Sequence, residues 1–140
     1  MIDANVIVSA AVLGGPPREL LLEAERGSFR AVVTPYIIAQ VRKVLIDKLG
    51  VSPDRVRNLL DFLPARIISD PCPEDEVLKA AHSLVAARDP TDAPVLAAAL
   101  KGEVDAIVTG DKDLSTPKIR AEIRVISPSK AVELCRSASE

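Results

Sequence analysis

Apolar positions along the chain switch repeatedly between helical spacing and short β-branched runs. Residues 1–3 form a strand stub that runs into an apolar, helix-forming stretch, residues 4–13 (ANVIVSAAVL). Gly14-Gly15-Pro16-Pro17 breaks that pattern. A second helix is predicted from Pro17 to about Arg26, with Leu20, Leu21 and Ala24 facing inward. Gly27-Ser28 then turns the chain into a strand at residues 29–33. Thr34-Pro35 pairs an N-cap with proline at the first helical position, a strong start signal. That helix is predicted to reach Leu49 and stop at Gly50, with Ile37, Val41, Val44, Leu45 and Leu49 as its apolar stripe. Ser52-Pro53 repeats the signal for a helix with Val56, Leu59, Leu60 and Leu63 inward, ended by Pro64. Residues 65–69 read as a short edge strand and 70–73 as a loop. Residues 74–88 read as a helix with acids in its first turn, where the helix dipole favours them.

The stretch 88–114 (RDPTDAPVLAAALKGEVDAIVTGDKDL) organises the rest. Val95, Leu96, Ala99 and Leu100 fall at helical spacing after Pro90, and Gly102 ends that helix as an achiral residue at C′ can. Residues 105–109 (DAIVT) read as a buried parallel strand, and Gly110 turns the chain to leave Asp111 and Asp113 on a loop. Residues 115–117 read as loop and 123–126 as a last strand, and Ser127-Pro128 starts a helix to about Arg136. Strands alternating with helices predict the α/β class: a three-layer α/β/α sandwich around a central, mainly parallel sheet of about four to five strands. With strand 1 central between strands 2 and 4, Asp3 and Asp111 meet at the carboxyl edge of the sheet, where such sheets bind ligands.

A chain of 140 residues suits one domain, residues 1–140. The 48% hydrophobic content supplies a core that must be aliphatic, because the only aromatics are Phe29, Tyr36 and Phe62. A net charge of −2 with scattered basic residues does not suggest a protein held to nucleic acid by bulk charge. A nuclease that grips RNA through a few cations and a metal stays compatible with it. Cys72 and Cys135 have no metal-ligand spacing and read as free thiols of a reducing cytoplasm. No apolar run reaches the roughly 20 residues of a membrane span, and no charged segment precedes an apolar one as in a signal peptide.

Each acid has a plain structural explanation beside a functional one. Asp3 is placed to cap the helix that follows, with Asn5 and Ser9 one turn apart and able to bond its carboxylate. Asp89, before Pro90, reads mainly as a helix cap. Asp92 suits a first-turn position, but it heads the apolar stripe of Val95, Leu96 and Ala99. A carboxylate there is costly unless a cation or metal pairs with it. Asp111 and Asp113 suit a solvated turn. Convergence favours function: Asp3, Asp92 and Asp111 come from distant segments, and gathered carboxylates repel unless a cation sits among them. Hard oxygen donors without a His or Cys cluster point to Mg²⁺ or Mn²⁺. His82 flanks the stripe of Val77, Leu78, Ala81 and Val85 and reads as packing or surface.

Residues 3–9 (DANVIVS) resemble the D-T-N-V-h-V-S opening of PIN domains. Residues 88–92 (RDPTD), 95–100 and 104–114 (VDAIVTGDKDL) resemble their second half. The resemblance covers essentially the whole chain, in order, and is closest to the small prokaryotic VapC-type toxins. It implies metal-dependent cleavage of RNA, with catalytic roles at Asp3, Asp92, Asp111 and, less constantly, Asp113. It also implies Mg²⁺ or Mn²⁺ held by Asp3, Asp92 and Asp111, a homodimer, and inhibition by a partner antitoxin. Asn5, Ser9, Gln40, Asp89 and Thr109 are the supporting polar residues, and Arg42, Lys112 and Lys118 are nominated by proximity to steady the RNA backbone.

Two departures from the family stand out. Its usual glutamate after strand 2 aligns with Gln40, which keeps a carbonyl oxygen and loses the charge. Met1 lies only about 7 Å from Asp3 if extended, so an α-amine there, if Met1 is the true start, would be positioned to compete with a metal. Two rivals follow: a PIN-fold binding module weakened or silenced at Gln40, and a phosphotransfer domain. The second lacks the expected acid pair after strand 1, since only Asp3 stands there, and its third strand ends in Ser69-Asp70-Pro71.

Overall fold

In the computed structural model, which describes residues 1–85 and 90–138, the chain's first three residues form the middle of the sheet. The Ile2 amide donates to the Val32 carbonyl on one side (3.0 Å). On the other side the Asp3 amide donates to Val108 (3.0 Å), and the Val108 amide donates back to Met1 (2.8 Å). The Met1 nitrogen donates to the Ala106 carbonyl at 2.8 Å. It therefore extends the ladder and does not compete at Asp3, as its nearness in sequence had suggested. Strand β1 (Val32–Val33) pairs in parallel with β2 (Arg66–Ile67), and β3 (Ala106–Val108) with β4 (Arg124–Ile126). The spatial order is thus β2, β1, residues 1–3, β3, β4, which keeps the predicted central place of the first strand, with the four later strands shortened to two or three residues. β2 is the exposed edge strand expected from its sequence.

Helices α1 (Ala4–Val12), α2 (Gly15–Glu25), α3 (Pro35–Lys43), α4 (Pro53–Asp61), α5 (Glu76–Val85), α6 (Ala93–Lys101), α7 (Pro117–Arg120) and α8 (Pro128–Ala138) complete an α/β/α architecture. α1 packs on α2 and α3, α2 on α8, and α5 on α6. The core is aliphatic, as the scarcity of aromatics requires: Ile2, Ile7, Leu20, Ile37, Leu45, Leu96 and Ile107 are fully buried. Each such side chain contributes roughly 1.5–3 kcal/mol of hydrophobic stabilisation. The helix start signals hold in the structure. Thr34 accepts from the Ile37 amide, Ser52 from Arg55, and Ser127 from Lys130. Both cysteines are free, Cys72 exposed and Cys135 buried, and His82 lies on the surface.

Four details differ from the sequence reading, each for a physical reason. The helix after Thr34 does not stay α-helical to Leu49; it widens into a π-turn over Val44–Lys48, with the Leu49 amide donating to Val44. The wider turn rotates the stripe, so Leu45 stays buried while Leu49 is 49% exposed. The stretch predicted as helical from Pro90 begins as a 3-10 turn, Pro90–Asp92, and becomes α-helical only at Ala93. The predicted 115–117 loop instead leads into α7, whose cap is Thr116 accepting from Ile119. Asp89, read as a helix cap, lies outside the described residues.

Gly102 differs most. It ends α6 with φ −79, not in the left-handed conformation, which Glu103 adopts instead at φ 54. Glycine is required by space: a Cβ there would lie 2.8 Å from Ile68 Cδ1 and 2.9 Å from the Ala98 carbonyl oxygen. A Gly→Ala change at an allowed φ gains about 0.4–1 kcal/mol through the unfolded chain, but overpacking costs about 1–3 kcal/mol. Gly102→Ala is therefore expected to lose about 1–2 kcal/mol net. Ile68→Val, which removes the crowding methyl, is expected to restore part of it. Urea denaturation of the single and double variants measures this; a stabilised Gly102→Ala would refute the contact.

Candidate metal centre

The carboxyl edge of the sheet gathers side chains from four segments. Asp3 ends the central strand and caps α1, its Oδ1 accepting from the Ala4 amide at 2.8 Å. The structural explanation of Asp3 therefore holds, and its second oxygen is engaged as well. Oδ2 accepts from the Thr109 hydroxyl (2.8 Å) and the Asn5 amide nitrogen (3.1 Å). Burial pushes the Asp3 carboxyl above its usual range, the bonds from Thr109 and Ala4 oppose that, and the negative charge of Asp111 adds to it.

Thr109 is the hub of the loop that follows β3. Its oxygen also accepts from Asn5 Nδ2 (3.2 Å) and from the Asp111 amide (3.0 Å). Asn5 Oδ1 accepts from the Gly110 amide at 3.3 Å, and Asp111 Oδ1 from the Asp113 amide at 2.9 Å. The backbone of Gly110, Asp111 and Asp113 is thereby fixed by side chains of the loop and of α1. The 3-10 turn Lys112–Leu114 holds Asp111 and Asp113 on one side.

Asp92 ends its 3-10 turn, is buried, and makes no capping bond to α6. Carboxylate oxygens of Asp92, Asp111 and Asp113 lie within 4.8 Å of one another. Asp113, expected to be auxiliary, is thus a full member of the tight group, while Asp3 stands beside it. A cleft of about 300 Å³ is lined by Asp3, Asn5, Ser9, Gln40, Asp92 and Asp111, with Ala4, Val8, Val44 and Thr91. Gln40 is half-buried on α3 and reaches this cleft as its alignment implied. Arg42, Lys112 and Lys118 are exposed and do not line it. A roomier, mainly apolar cleft lies between α1, α2 and α4, but it holds no carboxylate; the chemistry belongs to the smaller, acidic one.

Three hard carboxylate donors this close, one of them buried, fit a small divalent cation and would repel one another without it. Tyr36 and Thr91 are what the sequence reading missed. The Tyr36 hydroxyl donates to the Thr91 carbonyl at 2.7 Å, next to Asp92. The available signal was that Tyr36 stands one helical turn before Gln40, on the same face.

A short parallel sheet between helical layers, with carboxylates gathered at its carboxyl edge, defines an α/β protein equipped to hold a divalent cation. The chain belongs to the PIN-domain family, whose model matches residues 1–113. PIN domains are commonly nucleases, often dependent on divalent metal, so the family points to a nuclease-type function. No curated protein matches the chain. Among the described residues no helix is long and apolar enough to cross a membrane.

Proposed function

We propose that the chain is a Mg²⁺- or Mn²⁺-dependent endoribonuclease, the toxin of a cytoplasmic toxin–antitoxin pair of the VapC type, acting as a homodimer. The observation that carries this reading is the approach of Asp92, Asp111 and Asp113 to within 4.8 Å of one another beside Asp3, in a PIN-domain chain. Asp92, Asp111 and Asp113 would hold the cation, with Asp3 contributing from the adjoining wall of the cleft. Such a cation, when bound, offsets charge on the scissile phosphate and makes an attacking water more acidic. Asn5 and Thr109 orient Asp3, and Thr109 and Asn5 together fix the loop that carries Asp111 and Asp113. Ser9 lines the cleft within reach of substrate or solvent. Exposed Arg42, Lys112 and Lys118 are assigned to the RNA backbone, where cations add affinity that falls with salt. Residues 1–140 are read as one domain, since β4 pairs with β3 and α8 packs on α2.

The test is cleavage of single-stranded RNA with Mn²⁺, with EDTA, and by Asp92→Asn. Cleavage is expected only from the wild type with metal. Equal cleavage by both proteins would assign the activity to a contaminant.

A second reading has its own observation: an uncharged Gln40 lines the acidic cleft. On that reading the chain is a PIN-fold module that binds RNA or protein and cleaves slowly or not at all. A wild type that binds Mn²⁺ weakly and leaves RNA intact selects it.

A further inference from the structure

We infer that Tyr36 is a positioning residue that couples helix α3 to the Asp92 turn, and that its ring reports on metal occupancy of the acidic cleft. The inference rests on the metal reading given above. It starts from how firmly the base of α3 is held. Thr34 Oγ1 accepts from the Ile37 amide (3.1 Å), and Asp70 Oδ2 accepts from the Tyr36 amide itself (3.0 Å). Asp70 comes from the segment after β2, so two neighbouring strand ends fix the first turn of α3. From that turn the Tyr36 hydroxyl donates to the Thr91 carbonyl at 2.7 Å.

Thr91 precedes Asp92 in the 3-10 turn Pro90–Asp92. That turn spans only three residues, and so short a 3-10 turn is held in good part by its surroundings. The Tyr36 bond reaches across 55 positions of sequence and ties the turn to a helix that is itself doubly capped. Gln40 lies one turn further along the same face of α3, and both Gln40 and Thr91 line the cleft. α3 therefore acts on the site twice, directly through Gln40 and through Tyr36 on the Asp92 backbone. A carboxylate ligand loses affinity when its carrier is free to move, because binding must then also order it.

The composition supplies an unusual readout. Tyr36 is the only tyrosine and the chain has no tryptophan, so the tyrosine band of its ultraviolet emission, distinct from the weak phenylalanine band, comes from this one ring. A phenol bonded to a carbonyl changes its emission when that bond is strained or relaxed.

The experiment titrates Mg²⁺, a diamagnetic ion that does not quench by itself, into the wild type, Tyr36→Phe and Asp111→Asn. Calorimetry gives affinity for all three, and emission is followed in the two that keep Tyr36. The wild type is expected to show a saturable change in emission with the midpoint found by calorimetry, and Asp111→Asn no such change. Tyr36→Phe, with unchanged far-ultraviolet circular dichroism, is expected to bind Mg²⁺ about three- to tenfold more weakly, the loss of one modest hydrogen bond. Its RNA cleavage should recover at saturating metal. Wild-type binding with silent emission and an unweakened Tyr36→Phe would overturn the coupling and leave the metal reading intact. A wild type that binds no Mg²⁺ and no Mn²⁺ would overturn both.

Discussion

Asp111→Asn is expected to cut metal-dependent cleavage sharply while making the metal-free protein more stable. Asparagine keeps an oxygen that can accept from the Asp113 amide, so the turn cap at 2.9 Å survives. What disappears is a negative charge close to those of Asp92 and Asp113. It also acts on Asp3, whose carboxyl is raised by burial first and by Asp111 in addition. A raised carboxyl binds protons in the folded state over a window where the unfolded chain has released them. That window runs upward from the ordinary value of 3.8, and stability falls as pH rises through it. Removing Asp111 lowers the folded value for Asp3 and narrows the window. At neutral pH in EDTA the gain should be on the order of 1 kcal/mol, a Tm about 3–5 °C higher. Saturating Mn²⁺ should invert the order. A cation at a hundred times its Kd adds about 2.7 kcal/mol to the wild type and little to the variant. Cleavage should fall about a hundredfold or more, as when a preorganised electrostatic group is removed. Thermal unfolding with and without Mn²⁺ measures both signs. A variant less stable than wild type in EDTA would refute the repulsion.

Such opposed effects explain which parts of this molecule could be read from the sequence. The sheet order followed from alternation of elements and right-handed crossovers, because those constraints leave few arrangements. The N-caps followed from Thr34-Pro35 and Ser52-Pro53, because capping is local chemistry. The convergence of Asp3, Asp92 and Asp111 followed from topology alone. What stayed hidden depends on small displacements that no periodicity records. One extra residue in the Val44–Lys48 turn sends Leu49 to solvent. The 3-10 turn after Asp111 brings Asp113 into the group it was expected to assist from outside. The Tyr36 bond to Thr91 and the crowding of Gly102 by Ile68 join residues far apart in sequence, through atoms that carry no local signature. Thr109 lies between these cases. It was legible as a polar residue at a strand end, but its role as the shared partner of Asp3, Asn5 and Asp111 emerges only from the folded geometry.

Gln40→Glu should move the protein in the opposite direction from Asp111→Asn. Gln40 is half-buried on α3 and faces a cleft that already holds Asp3, Asp92 and Asp111. Adding a fourth negative charge there worsens repulsion in the metal-free state, so stability in EDTA should fall by on the order of 1 kcal/mol. The same charge is a hard donor for Mg²⁺ or Mn²⁺, and affinity should rise about ten- to a hundredfold. The two shifts share one cause, so they should appear together. A Gln40→Glu variant that binds metal more tightly without becoming less stable in EDTA would mean that the new carboxylate approaches the ion from solvent, not within the cleft. Calorimetry with Mn²⁺ and thermal unfolding of the same samples test the pair. RNA cleavage then separates the two functional readings. A modest gain over an active parent fits a nuclease that tolerates an amide at this position, whereas activity appearing in a silent parent identifies Gln40 as the residue that turned a PIN nuclease into a binding module. Unchanged affinity would remove Gln40 from the site altogether and leave Asp92, Asp111 and Asp113 to hold the cation without it.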